Sequence, residues 1–173
     1  AFLSDLRLLA QAGLLLDTAD PDQRLLDDVV RLTDRVPGLR VIIDHLPLMP
    51  VPAEPGPRAA YDAALKELGG RPQVYVKVSG VLRGLGSRAR LGLAAARATL
   101  DLIYETFGAD RVLYGSDWPN SDPYGSYQQT LALVMEYFLG KGTETAEKYF
   151  WRNSFAAYRW VRREGSQPDP AGA

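Results

Sequence analysis

Four short apolar runs, Leu14–Leu16, Val41–Ile43, Val74–Val78 and Val112–Tyr114, each lead straight into polar residues, and each is followed by a stretch of helical periodicity. No other feature constrains the fold as strongly. Runs this short and this rich in aliphatic residues read as strands buried on both faces, which is the property of a parallel sheet. Strands that alternate with helices must be joined by crossovers, and crossovers are right-handed and keep the strands parallel. The predicted class is α/β: one opening helix, then four strand–helix units.

The intervals support this reading. Phe2, Leu3, Leu6, Leu9 and Ala10 recur at helical spacing before Gly13, a residue suited to a helix C-terminus. In the next interval Asp20 is the predicted cap and Pro21 the first helical residue. Leu25, Leu26, Val29, Leu32, Thr33 and Val36 form the buried stripe, and Pro37-Gly38 end it. Five prolines between Pro47 and Pro57 exclude regular helix there, after which Tyr61, Ala64, Leu65 and Leu68 resume the helical period up to Gly69. Leu91, Ala94, Ala95, Ala98, Leu102 and Phe107 predict a fourth helix that stops at Gly108; Tyr127, Leu131, Val134, Met135 and Phe138 a fifth; and Thr143–Arg163 a last one. Residues 1–164 are read as one unit and 165–173 as a disordered tail.

In a parallel sheet the C-terminal strand ends gather on one side, so residues far apart in sequence can meet around a ligand. The residues at those ends are Asp17, Asp44 and His45, Lys77 and Ser79, and Asp117. Side-chain alternation places Ile43 with His45, Tyr75 with Lys77 and Ser79, and Leu113 and Gly115 with Asp117, so that a single face can carry the set. The same alternation points Asp44 the other way, into the helix layer.

Composition narrows the chemistry. Twenty basic against twenty-one acidic residues leave a formal charge of -1, which gives no general attraction to nucleic acid or to an anionic membrane and favours a small-molecule partner. The absence of cysteine excludes thiolate ligands, a cysteine nucleophile and disulfides, and cytoplasm is the default compartment. No apolar run is long enough to span a bilayer. Gly84-Leu-Gly86-Ser-Arg-Ala89 fits a loose G-x-G-x-x-A pattern of the dinucleotide-binding kind, but it is separated from the strand that ends near Ser79.

The segments VIIDHLPLMP, VYVKVSGVL, RVLYGSDWPNSD and WRNSFAAY resemble, in order and spacing, successive landmarks of the amidohydrolase-2 family of barrel hydrolases. GSDWP, Gly115–Pro119, is the most specific of them, and DHL, Asp44–Leu46, is next. The resemblance implies the last four units of a (β/α)₈ barrel, a fold of eight strands and about 250 residues. It also implies a hydrolase of lactones, related cyclic esters or amide-like carbonyl compounds, using a divalent metal such as zinc or manganese in some members. By the same resemblance His45 lies at the site and Asp117 activates the hydrolytic water.

The H-x-H pair of the family's first strand has no counterpart, since His45 is the single histidine. The expectation is therefore of a C-terminal half-barrel that self-associates or pairs with an N-terminal half. His45 and Asp117 are the candidate metal ligands, with Asp17 behind them, and His45 can alternatively donate to the carbonyl oxygen. Lys77, Ser79, Arg83 and Trp118 are the candidate substrate-binding residues, Lys77 or Arg83 to orient an anionic group. Two other readings stand beside the hydrolase: a non-catalytic half-barrel interaction module, and a nucleotide-binding domain built on the Gly84 loop.

Overall fold

The computed structural model describes residues 2–167. Its strands are β1 (Leu15–Thr18), β2 (Arg40–Ile43), β3 (Val74–Val78) and β4 (Val112–Tyr114), all parallel and in the order β1-β2-β3-β4. Strand neighbours in space are thus neighbours in sequence. A doubly wound sheet reverses its order at a switch point, and no such reversal occurs in this sheet.

The helices are α1 (Phe2–Gln11), α2 (Gln23–Arg35), α3 (Pro55–Gly69), α4 (Val81–Leu85), α5 (Leu93–Phe107), α6 (Tyr127–Gly140), α7 (Thr143–Glu147) and α8 (Asn153–Tyr158). Leu26 and Val29 of α2, Leu65 and Leu68 of α3, Leu100 and Ile103 of α5 and Val134 and Phe138 of α6 share one core with Val41, Ile43, Val74, Val76, Val78 and Val112 of the sheet. All four crossover helices therefore lie on the same sheet face. Burying one such aliphatic side chain stabilises by about 1.5–3 kcal/mol. Leu15, Ile42, Tyr75 and Leu113 project from the opposite face, where Ala157 of α8 packs on them. The Arg40 guanidinium fastens α8 there, donating to the carbonyls of Ala157 and Gly13.

Several boundaries differ from the sequence reading for identifiable reasons. Asp22, not Asp20, caps α2 by accepting from Leu25 N at 2.8 Å, because Asp20 is itself in a left-handed conformation with φ of 53°. Pro55 and Pro57 are not loop residues. They occupy the first turn of α3, where a missing N–H costs nothing. Leu91, whose side chain lies outside the described part, ends a 3₁₀ segment (Gly86–Leu91) rather than joining α5. The single last helix expected over Thr143–Arg163 is three pieces: α7, a π-helical turn over Lys148–Arg152, and α8, which stops where Arg159 turns left-handed at φ of 49°. The π turn faces Tyr149 inward, stacked on Phe138 with ring centroids 3.6 Å apart, while its hydroxyl donates to Val78 O at 2.8 Å. Of the expected tail, residues 165–167 form a turn in which Gln167 N donates to Glu164 O at 3.1 Å, and residues 168–173 lie outside the described residues.

The Gly84 loop is helical: Gly84 belongs to α4 and Gly86 opens the 3₁₀ segment. A Cβ on Gly84 would sit 2.2 Å from Pro47 O, so the glycine lets α4 approach the segment after β2. Gly84→Ala is expected to lower stability by about 1–3 kcal/mol, as overpacking does, which a thermal melt measures. A parent-like melt accompanied by lost NAD or ATP binding would restore the nucleotide reading.

Candidate active site

Each strand exit contains a residue in the left-handed region. Asp20 follows β1, His45 follows β2 at φ of 57°, Gly80 follows β3 at φ of 66°, and Asp117 follows β4 at φ of 58°. For glycine this conformation is free; for His45 and Asp117 it costs of order 1 kcal/mol or more, and such strain collects at functional sites. Its effect is to break strand alternation. His45 consequently does not continue the direction of Ile43, which points into the helix-side core.

Four of the sequence candidates converge. The His45 imidazole bonds through Nδ1 to Ser79 Oγ at 2.7 Å, and its Nε2 lies 3.9 Å from Asp117 Oδ1. Arg83 Nη1 stands 3.5 Å from Asp117 Oδ2. The Asp117 carboxylate, its side chain only 1% exposed, is held by two further donors that the sequence reading passed over: Asn120 Nδ2 to Oδ1 at 3.2 Å and Ser121 Oγ to Oδ2 at 3.2 Å. The signal was present. Asn120 and Ser121 stand three and four residues after Asp117, and Ser121 N closes the turn onto Asp117 O at 3.0 Å. Two glycines allow the crowding: a Cβ on Gly115 would lie 2.7 Å from Ser79 Cβ, and one on Gly80 would lie 3.1 Å from Asp117 Oδ2.

The remaining candidates lie elsewhere. Ser79 is fully buried, so its hydroxyl faces the imidazole and not the mouth. Trp118 is exposed and has no printed-range contact with the His45–Asp117 pair; its backbone N–H bonds to Ser116 Oγ at 3.1 Å. Lys77 belongs to a second cluster on the α8-covered side, where Nζ lies 3.2 Å from Asp17 Oδ1, 2.9 Å from Asp44 Oδ1 and 3.1 Å from Asp44 Oδ2. The expectation that Asp44 enters the helix layer is thereby corrected, because β2 ends at Ile43 and the left-handed turn at His45 redirects the chain. Tyr158, read from sequence as a packing residue, closes this cluster by donating to Asp17 Oδ2 at 2.8 Å.

Electrostatics separates the two clusters. Burial pushes the Asp44 carboxyl above its ordinary range, against the pull of Lys77. Burial also opposes charge on Lys77, but hydrogen bonds with Tyr158 and Asp44 and the fields of both carboxylates outweigh it and raise its pKa. Lys77 is accordingly a fixed cation between two acids.

A catalytic zinc takes three protein ligands and an open position. Here His45 and the buried Asp117 offer two donors of the required chemistry, and among the described residues no group of three or more His, Cys, Asp or Glu side chains is placed to hold a metal ion. The donor set of this chain does not by itself fit a metal centre.

A family model described as amidohydrolase matches residues 6–160. The chain belongs to the amidohydrolase family. It is 29% identical over 150 residues to an L-fucono-1,5-lactonase of Burkholderia ambifaria, an alignment covering 83% of this chain and 50% of the relative. Among solved structures it superposes on an amidohydrolase from Burkholderia multivorans with bound zinc at a TM-score of 0.78 and 25% identity, covering 92% of this chain and 57% of that one. Amidohydrolase 2 from Bifidobacterium longum subsp. infantis gives 0.71 and 28%, with coverage of 92% and 55%. The chain spans about half the length of the curated relatives it matches. Among the described residues no helix is long and apolar enough to cross a membrane.

Proposed function

We propose that this amidohydrolase chain is the C-terminal half of a (β/α)₈ barrel and supplies the water-activating side of a hydrolase for lactones or related cyclic esters. Sequential parallel strands with all crossover helices on one face are what four consecutive staves of a barrel require. The observation that carries the catalytic part is the Asp117 carboxylate, buried, held by Asn120, Ser121 and Arg83, and facing the His45 imidazole across 3.9 Å.

In this reading Asp117 accepts the proton of a water as its oxygen attacks the carbonyl carbon, and His45 acts on the carbonyl oxygen where negative charge collects. Arg83, whose side chain is 39% exposed, is within reach of an anionic or hydroxylated part of the substrate. The lactonase relatives support cyclic esters as the substrate class. Co-expression with the part of a lactonase relative that this chain does not span is the direct test, with sugar lactone hydrolysis followed by proton release. Turnover in the complex and in neither piece alone is the expected result. A stable complex without turnover would replace the catalytic reading with that of an interaction module.

A further inference from the structure

We infer that Ser79 is a positioning residue that sets which nitrogen of His45 carries the proton: the Ser79 hydroxyl donates to Nδ1, so the neutral imidazole holds its proton on Nε2, facing Asp117. The consequence for catalysis rests on the function proposed above, whereas the proton placement does not.

The argument is an accounting of one buried proton. Ser79 is fully buried and His45 Nδ1, 2.7 Å away, is the one hydrogen-bond partner of its side chain among the described residues. If Nδ1 carried the proton, the hydroxyl would have to accept it, and its own O–H would be left with no acceptor. A buried donor without a partner costs about 1–3 kcal/mol. Donation from Ser79 to a bare Nδ1 avoids that cost.

The far side of the ring agrees independently. Nε2 looks toward Asp117 Oδ1 at 3.9 Å, and a carboxylate favours an N–H over a lone pair directed at it. Asp117 also has acceptor capacity left, since Oδ1 receives Asn120 and Oδ2 receives Ser121 and the more distant Arg83, against about four lone-pair sites on a carboxylate. The geometry is held from behind: Gly115 of the β4 exit presses on Ser79 at a distance that no other residue permits. The hydroxyl and the ring it orients are therefore locked by three strand exits together.

This placement decides between the two roles open to His45. An imidazole that ligates a metal through Nε2 must have that nitrogen bare, with Nδ1–H donated to a neighbouring acceptor. Ser79 enforces the reverse. His45 then presents a donor beside the Asp117 acceptor, one group to polarise a carbonyl and one to take the proton of water, and metal ligation by Nε2 would strand the serine proton.

His45 is the single histidine, so imidazole nitrogen spectra of the uniformly ¹⁵N-labelled chain report it without ambiguity. Recorded well above the ordinary imidazole range of about 6.5, they are expected to show a single tautomer, with Nε2 protonated and Nδ1 bare. In Ser79→Ala the Nδ1–H form becomes populated and the single-tautomer spectrum is lost. One equivalent of zinc added to the parent leaves the Nε2 proton in place. A parent with Nδ1 protonated, a Ser79→Ala spectrum identical to the parent's, or zinc displacing the Nε2 proton would each overturn the inference. The parent spectrum alone decides if Ser79→Ala does not fold. Because no step of this test needs turnover, its failure is distinct from failure of the proposed hydrolase activity.

Discussion

Asp117→Asn in the completed barrel is expected to lower kcat by about 10²–10⁴-fold, the range over which a positioned general base contributes. Asparagine keeps the shape and the acceptor oxygen but cannot take a proton from water. Its structural cost is calculable from the same contacts. Asn120 and Ser121 donate to opposite oxygens of the carboxylate, so the amide –NH₂ must face one of them and one hydrogen bond is lost, about 1–3 kcal/mol in a site this buried. For a chain of this size each kcal/mol moves Tm by about 2–4 °C. The two quantities therefore differ by scale: a modest drop in Tm against a loss of two or more decades in rate. Asp122→Asn, one turn on and exposed, serves as the control and should change neither. A melting loss with unaltered turnover per folded molecule would return Asp117 to the role of a turn-forming residue.

What was legible beforehand, and what was not, divides at the strand ends. The apolar runs Val74–Val78 and Val112–Tyr114 coincide with β3 and β4, because a strand buried on both faces has no sequence signal other than its own hydrophobicity, and here that signal is unmixed. The polar residues that follow each run also marked the right places. Alternation failed just beyond, since it holds only while the backbone stays extended, and at His45 and Asp117 the chain turns left-handed. Asp44 thus reaches Lys77 instead of the helix layer, and His45 meets Ser79 by a turn that no periodicity encodes. Contacts such as Tyr158 with Asp17, separated by 141 positions, depend on where α8 comes to rest on the sheet. That is a matter of tertiary packing, and local pattern carries no trace of it.

Lys77→Met is expected to destabilise the chain by about 1–3 kcal/mol and to make its stability depend on pH in the acid range. The variant preserves the aliphatic bulk but leaves Asp17 and Asp44 facing the same space with no cation between them. Breaking a fully buried pair costs about 3–5 kcal/mol; here the Asp17 side chain is 38% exposed, and Lys77 and Asp44 are 20% and 17% exposed, so solvent screening reduces the figure. The sign of the pH effect follows from the two groups separately. Lys77 has its pKa raised on folding, so its contribution is present in full below the ordinary lysine value of about 10.4 and is lost only as pH rises through its higher folded value. The parent therefore keeps this contribution throughout the neutral range. Asp44 is also raised, so its share is fully present below about 3.9 and is lost as pH rises through the folded value. In the parent, Lys77 offsets that loss. Without the ammonium the carboxyl rises further, so the deficit of Lys77→Met should be largest near neutrality and shrink as acid protonates Asp44. Asp44→Asn in the Lys77→Met background removes the second charge and should restore part of the lost stability. Thermal melts of the three proteins between about pH 4 and pH 8 measure all of this. A Lys77→Met protein that melts like the parent at every pH would show that the cluster contributes nothing to stability and would return Lys77 to the list of groups free to orient a substrate.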